Sequence, residues 1–326
     1  MIVRAIQCNN QTQTFCSIQS IEDLNAVKKD PNSLFWLDLQ SPTDEDLQKI
    51  AVAFDLHPLA IEDATSEHQR PKVDQYENFF FVVFYAVQLN PGQQEPTISE
   101  VDMFLGTNYL ITVHQGTLPE LDELEQRWTR KAPQLEWNIG ILLYSLLDTI
   151  VDHYFPVVDA LVDQAEALED RMFISSRHQD TVTLDILELK KRFLALRRIA
   201  APERDVLNIL TNRDNPIFDK HVLIYFRDIY DHLTRLAETI DLYRDQMSTT
   251  MDAHLSLVSN DLNQVMRTLT VASIILMADS LIAGIYGMNF ENMPELHLPY
   301  AYFACLALMA LLSLLLGFFF KRLGWF

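Results

Sequence analysis

The stretch LPYAYFACLALMALLSLLLGFFF, residues 298–320, carries no charged side chain. As a helix its 23 residues extend about 34 Å, enough to cross a bilayer core of roughly 30 Å. Upstream, TLTVASIILMADSLIAGIYG (268–287) offers a second span of 20 residues with one charge, Asp279. Lys321 and Arg322 follow the last span directly, which predicts a cytoplasmic C-terminus. Two spans return the chain to the side it left, so the N-terminus is expected in the cytoplasm and residues 288–297 form an external loop. The opening MIVRAIQCNN lacks an apolar core long enough for a signal peptide, in keeping with that orientation. The expected location is the inner (plasma) membrane.

Working outward, residues 1–135 read as a mixed α/β domain. LFWLDLQ (34–40) and NFFFVVFYAVQ (78–88) are strand-like, and MFLGTNYLITVHQ (103–115) reads as a hairpin turning at Gly106-Thr107-Asn108. Ser41-Pro42-Thr43-Asp44 reads as a helix start with Ser41 as N-cap. From about residue 138 the pattern is helical, so residues 136–267 are expected to be a long-helix bundle and stalk. Tyr225, Ile229, His232, Leu236, Ile240, Tyr243, Met247, Met251, His254, Val258, Leu262, Val265 and Leu269 recur at 3-or-4 spacing, an 11-residue repeat that predicts a nearly straight packing stripe. No proline or glycine interrupts residues 217–283, so one helix is expected from about 218 into the first span. Such a rod must bury its stripe against neighbouring helices. His232 and His254, on that stripe, read as core histidines.

The formal net charge of −20 argues against nucleic acid as a partner, because phosphates require a basic face. The three cysteines, Cys8, Cys16 and Cys305, have neither CxxC nor zinc-finger spacing and read as ordinary thiols of a reducing compartment. There is no GxxxxGK[ST] loop, GxSxG elbow or HExxH helix, so an enzyme is disfavoured.

Tyr286-Gly287-Met288-Asn289 at the outer end of the first span, with Met293-Pro294-Glu295-Leu296 in the following loop, resembles the CorA family of magnesium channels. HPLAIEDATSEHQRPK (57–72), LLYSLLDTIVDHYF (142–155), YFRDIYDH (225–232) and the basic-aromatic end from Lys321 extend the resemblance over most of the chain. It implies a homopentameric funnel: an α+β cytosolic domain, a long helical stalk, and two C-terminal transmembrane helices, the first lining a central pore. Divalent cations and the bilayer are then the partners. Mg²⁺ is the expected cargo and regulator, with Co²⁺, Ni²⁺ or Zn²⁺ as the alternatives.

Read from the residues alone, Asn289 is a helix C-cap. The resemblance instead implies a selectivity filter of Gly287, Met288 and Asn289. Mg²⁺ gives up its waters reluctantly, and a ring of amide oxygens would accept hydrogen bonds from those waters without a fixed charge to trap the ion. Glu291 and Glu295 would raise the cation concentration outside the ring. Upstream, Asn263, Met266, Leu269, Ser273, Met277, Ser280 and Gly284 share one helix face, as a pore lining requires. By resemblance Asn263 is an inner polar ring, and Met266, Leu269 and Met277 are hydrophobic constrictions. Asp279 departs from the family, many of whose members carry Met-Pro-Leu-Thr where this chain has Met277-Ala278-Asp279-Ser280. At 100° per residue it points roughly 140° from the pore direction, toward the second span or a neighbouring subunit; it reads as a protonated or hydrogen-bonded structural carboxyl. By resemblance, Asp63 of one subunit faces Asp228 of the next, with Glu62, Asp148 and Asp152 as further regulatory metal ligands. Crowded carboxylates repel, and a divalent ion between them removes the repulsion.

Two other readings stay open: a zinc transporter on the same scaffold, driven by protons, and a membrane-anchored signalling scaffold. The one-sided polar face ending at Asn289 argues against an anchor alone.

Overall fold

A strand whose residues are apolar on both sides must be covered on both faces, and FFVVFYAVQ is such a strand. In the computed structural model the described residues are 2–9, 14–17, 33–66, 69–89, 95–130, 138–174, 179–211, 217–218, 221–289, 293–294 and 300–325. They form seven strands: β1 (Ile2–Asn9), β2 (Thr14–Ser17), β3 (Ser33–Gln40), β4 (Lys72–Gln75), β5 (Phe80–Gln88), β6 (Thr97–Leu105) and β7 (Tyr109–His114). The helices are α1 (Asp44–Phe54), α2 (Pro58–Thr65), α3 (Pro119–Arg130), α4 (Ile139–Asp152), α5 (Tyr154–Ile174), α6 (Gln179–Leu210), α7 (Val222–Tyr286) and α8 (Ala301–Arg322). The chain divides into two units, Met1–Ser248 and Thr249–Phe326, and α7 contributes to both.

The strands make one mixed sheet in the order β2-β1-β3-β7-β6-β5-β4. β3 and β7 are parallel, and every other pairing is antiparallel. The hairpin expected at Gly106–Asn108 joins β6 to β7, closed by the Gly106 N–H to the Tyr109 carbonyl at 2.9 Å. Phe80 through Val87 are all buried, as is the whole of β7, so the sheet is covered on both faces. Phe81 and Phe104 pack across β5 and β6 with ring centres 5.0 Å apart.

The expected start of α1 is corrected. Thr43, not Ser41, is the N-cap. Thr43 Oγ1 accepts from the Asp46 N–H at 3.3 Å, and Asp46 Oδ2 accepts the Thr43 N–H at 3.1 Å. This reciprocal box satisfies two backbone donors, which Ser41 could not do from two residues further back. Ser41 instead sits at φ 48° and donates its N–H to the His114 carbonyl at 2.8 Å, prolonging the β3–β7 pairing.

One buried network closes an open edge. The β4–β5 pairing ends at Lys72 opposite Val83, so among the described residues no strand lies beside Tyr85, two residues on, at that edge. Glu203 of α6 accepts the Tyr85 N–H at 2.9 Å, and Tyr154, at the start of α5, donates its hydroxyl to the Tyr85 carbonyl at 2.7 Å. Tyr154 Oη also lies 2.9 Å from Glu203 Oε1 and 3.0 Å from Oε2. Glu203 is fully buried, and burial pushes its carboxyl well above the usual range. A protonated Glu203 completes a ring of three donors and three acceptors.

Among the described residues three helical stretches are long and apolar enough to span a membrane: Ile139–Met172, Val222–Tyr286 and Ala301–Arg322. The most apolar window of the first is 72% buried within its own unit, against 6% for each of the others. The first is therefore a core segment, and the other two carry the uncovered apolar surface. α7 runs 65 residues, from Val222 rather than 218. Its stripe is buried at Ile229, Leu236, Ile240, Met247 and His254. Tyr225, counted in the stripe, is 46% exposed, while Phe226, Leu233 and Ala237 are buried beside it. The buried face is thus wider than a single row, because α7 meets more than one helix of the first unit: Phe193 of α6 stacks on Tyr243, and Tyr144 of α4 packs on Tyr225.

Candidate metal cluster and pore-lining helix

Two helices build an acidic cluster in the first unit. α4 begins at an Asn138 cap, whose Oδ1 accepts the Gly140 N–H at 2.8 Å, and carries Asp148 nearly three turns on. On α7, Asp228 and His232 stand one turn apart on one face. The Tyr144–Tyr225 contact, ring centres 5.0 Å apart, fixes the register of the two helices one turn earlier. One ligand atom from each of Asp148, Asp228 and His232 lies within 4.8 Å of the others. His232 Nε2 is 3.9 Å from Asp228 Oδ1, and the ring stands edge-on to Phe155 at 5.7 Å. His232 Nδ1 is buried with no hydrogen-bond partner among the described residues.

Asp148 is the buried member of the group. Burial, followed by Asp152, raises its carboxyl above the ordinary range, and Arg127, with Nη1 3.7 Å from Oδ2, pulls it back. A carboxyl whose charge is disfavoured by burial and by neighbouring acids is one that a divalent ion would favour. Two carboxylates and an imidazole form a mixed oxygen-nitrogen set, which accepts Co²⁺ or Zn²⁺ as well as Mg²⁺. The residues present therefore fit a divalent cation.

Of the five acidic residues singled out in the sequence, the fold brings Asp148 and Asp228 together. Asp152 is exposed at the end of α4 and acts on Asp148 through its charge. Asp63, on α2, is paired within the chain with Lys72 Nζ at 2.7 Å, and the same ammonium reaches Asp74 at 3.1 Å. Glu62 is exposed, and its carbonyl accepts the Thr65 and Ser66 hydroxyls, each at 2.8 Å. Sequence reading placed His232 in the core. Its spacing from Asp228, one helical turn, is the signal that marks it as a possible ligand.

From Val271 onward α7 has a covered and an uncovered side, while residues 259–270 are exposed all round. Val271 is buried, and Ile274, Ile275, Ala278, Asp279 and Ile282 are partly covered at helical spacing. Asn263, Met266, Leu269, Ser273, Met277, Ser280 and Gly284 all lie on the uncovered surface, as do Gly287, Met288 and Asn289 beyond them. Ser313 of α8 donates its hydroxyl to Asp279 Oδ2 at 2.7 Å. Asp279 therefore faces the second span, and Ser313 is the partner that sequence reading had not named. Asp279 Oδ1 is buried without a hydrogen-bond partner among the described residues. α7 ends on backbone bonds, from the Gly287 N–H to the Ala283 carbonyl at 2.9 Å and from the Met288 N–H to the Ile285 carbonyl at 3.3 Å. Asn289 is not left-handed, so it does not serve as the helix's left-handed C-cap. Glu291 and Glu295 lie outside the described residues.

The family model of the CorA-like Mg²⁺ transporter protein matches residues 31–322. The chain is 33% identical to the cobalt/magnesium transport protein CorA of Thermotoga maritima over 306 residues, covering 91% of this chain and 85% of that protein. Its fold is similar to the complete structure of the CorA magnesium transporter from Methanocaldococcus jannaschii, with a TM-score of 0.85, 26% identity, and coverage of 100% of this chain and 99% of that one. The structure of full-length CmaX, 20% identical with a TM-score of 0.77, shares the fold over 99% of this chain and 97% of that one. The family match from residue 31 to 322, joined to the acidic cluster and the two-sided α7, establishes that this chain belongs to the CorA-like Mg²⁺ transporter family.

Proposed function

We propose that the chain is a divalent-cation channel that admits Mg²⁺ down its electrochemical gradient, with Co²⁺ as a second cargo. The relative from Thermotoga maritima is named for both metals. In this reading five copies surround a pore lined by the uncovered side of α7, α8 forms an outer ring, and both termini lie in the cytoplasm. Gly287, Met288 and Asn289 form the entrance filter, where amide and backbone oxygens hold a hydrated ion. Met266, Leu269 and Met277 are the hydrophobic constrictions, and Glu291 and Glu295 concentrate cations outside.

The observation that carries this reading is the division of α7 in the second unit. One side meets α8 through Asp279, and Val271, two turns earlier on that side, is buried. The other keeps an asparagine, serines, glycines and methionines uncovered in a single chain. Lipid is a poor cover for Asn263, Ser273 and Ser280, whereas neighbouring copies and water are good ones.

Regulation follows from the acidic cluster. Internal Mg²⁺ bound among Asp148, Asp228 and His232, with Asp63 and Glu62 of an adjacent copy and Asp152 nearby, would hold subunits together and the pore shut. Its loss frees the carboxylates to repel, and α7, which carries Asp228, transmits the change. The zinc-transporter reading rests on Asp279, but its bond to Ser313 supports a structural role for that carboxyl.

The test is ion flux into liposomes holding the purified protein. Mg²⁺ entry that ignores a pH gradient and is lost in Asn289→Ala is the expected result. Zn²⁺ entry that follows the pH gradient would overturn the channel reading in favour of the transporter, and absence of any flux would favour a scaffold.

A further inference from the structure

A small cavity of about 90 Å³ opens in the first unit, away from the Asp148 cluster. It lies where the beginning of α1, the end of α2, β6 and the end of β7 converge. Asp44, Glu100, Asp102, Thr65, Ser66, His114 and Gln115 supply its polar lining, which among the described residues includes no lysine or arginine. Asp102 is only 6% exposed, and its Oδ1 has no hydrogen-bond partner among the described residues.

The lining presents acceptors. The Thr65 and Ser66 hydroxyls each spend their proton on the Glu62 carbonyl at 2.8 Å, so their lone pairs remain available. Glu100 is fixed by the Tyr85 hydroxyl at 3.0 Å and the Gln69 N–H at 3.2 Å. His114 Nε2 lies 3.2 Å from Asp38 Oδ1. The C-terminal end of α2 adds its partial negative charge and has no basic residue in its last turn to offset it. Lys72, the ammonium acting on Asp102, is already shared by Asp63 and Asp74. Burial, then Glu100 and Asp63, hold the Asp102 carboxyl well above its usual range, and Lys72 pulls it back.

We infer that this cavity binds a hydrated divalent cation, Mg²⁺ or Mn²⁺, through Asp102, with Asp44 and Glu100 as further carboxylates and Thr65 and Ser66 as water acceptors. The donors are hard oxygens, as these ions require. The volume suits an ion with several waters, each needing about 10–15 Å³ by this measure, and not a peptide side chain or nucleotide. Among the described residues the only three-residue convergence of ligand atoms is at Asp148, so the ion is held here largely through its waters, the usual habit of Mg²⁺. The cavity adjoins the end of the helix that carries Glu62 and Asp63, but the site does not depend on the proposed gating.

The experiment counts Mn²⁺ bound per chain by electron paramagnetic resonance on the full-length protein in detergent. The background variant Asp148→Asn/Asp228→Asn/His232→Ala removes the other cluster. Adding Asp102→Asn should lower the count by one per chain, and excess Mg²⁺ should displace the same ion. An unchanged count overturns the site and leaves the transport reading intact. Should Asp102→Asn fail to fold, anomalous diffraction from Mn²⁺-soaked crystals of the unaltered protein decides. A peak beside Asp102 sustains the inference, and a cavity without one overturns it.

Discussion

Glu203 shows how one side chain serves the fold and makes it sensitive to pH. It accepts the Tyr85 N–H, which β4 leaves open on β5, from a position with no exposure to water. Its carboxyl sits well above the usual range because burial opposes the charge. The unfolded chain loses this proton near pH 4.3. The folded chain therefore holds the extra proton above that pH. The group's stabilisation is complete below the unfolded value and fades as pH rises through the folded one. Thermal melting of the solubilised protein from pH 5 to 8 should show a decline of up to about 1.4 kcal/mol per pH unit from this group, and Glu203→Gln should flatten it. A slope identical to that of the parent protein would exclude Glu203 as its source. Glu203→Leu strands the Tyr85 N–H and should cost about 1–3 kcal/mol.

At the scale of elements, the pairing of α7 with α8 rests on more than apolar contact. Lipid tails are as apolar as leucine, so helices in a membrane are selected by packing and by hydrogen bonds. The Ser313–Asp279 bond is such a selector. Asp279→Asn keeps an oxygen acceptor for Ser313 and should leave flux and its pH dependence as they were. Ser313→Ala and Asp279→Leu break the bond and should lower stability by about 0.5–2 kcal/mol, read as an earlier loss of the folded oligomer on heating. Lost or pH-shifted flux in Asp279→Asn, with stability unchanged, would instead put the carboxylate in the ion path.

At the scale of the whole molecule, the acidic cluster and the membrane segment share one helix, since Asp228 and Asn289 bracket most of α7 and the turn beyond it. If the proposed regulatory ion binds at this cluster, Asp228→Lys puts a fixed positive charge in its place. Internal Mg²⁺ should then no longer inhibit flux, removing an effect of about 5–150-fold for a typical coupling. Inhibition at full strength in that variant would detach gating from this cluster.

The amino-acid sequence by itself determined the architecture. Long apolar runs with at most one charge specified two apolar helices, uninterrupted 3-or-4 spacing specified α7, and apolar runs such as Phe80–Val87 specified a sheet covered on both faces. These features follow from local period and from the transfer of apolar groups out of water, both of which act along the chain. Tertiary structure alone decided the partners. The join of Asp148 to Asp228 and His232, the Ser313–Asp279 bond and the capping of Tyr85 by Glu203 bring together residues 34 to 118 positions apart, and the Asp102 cavity gathers residues of four elements. The start of α1 was missed for the same reason, since Ser41 was claimed by the His114 carbonyl of a distant strand. A carboxylate looks alike in sequence whether it meets water, an ammonium, a hydroxyl or an ion, and only the packed fold selects which.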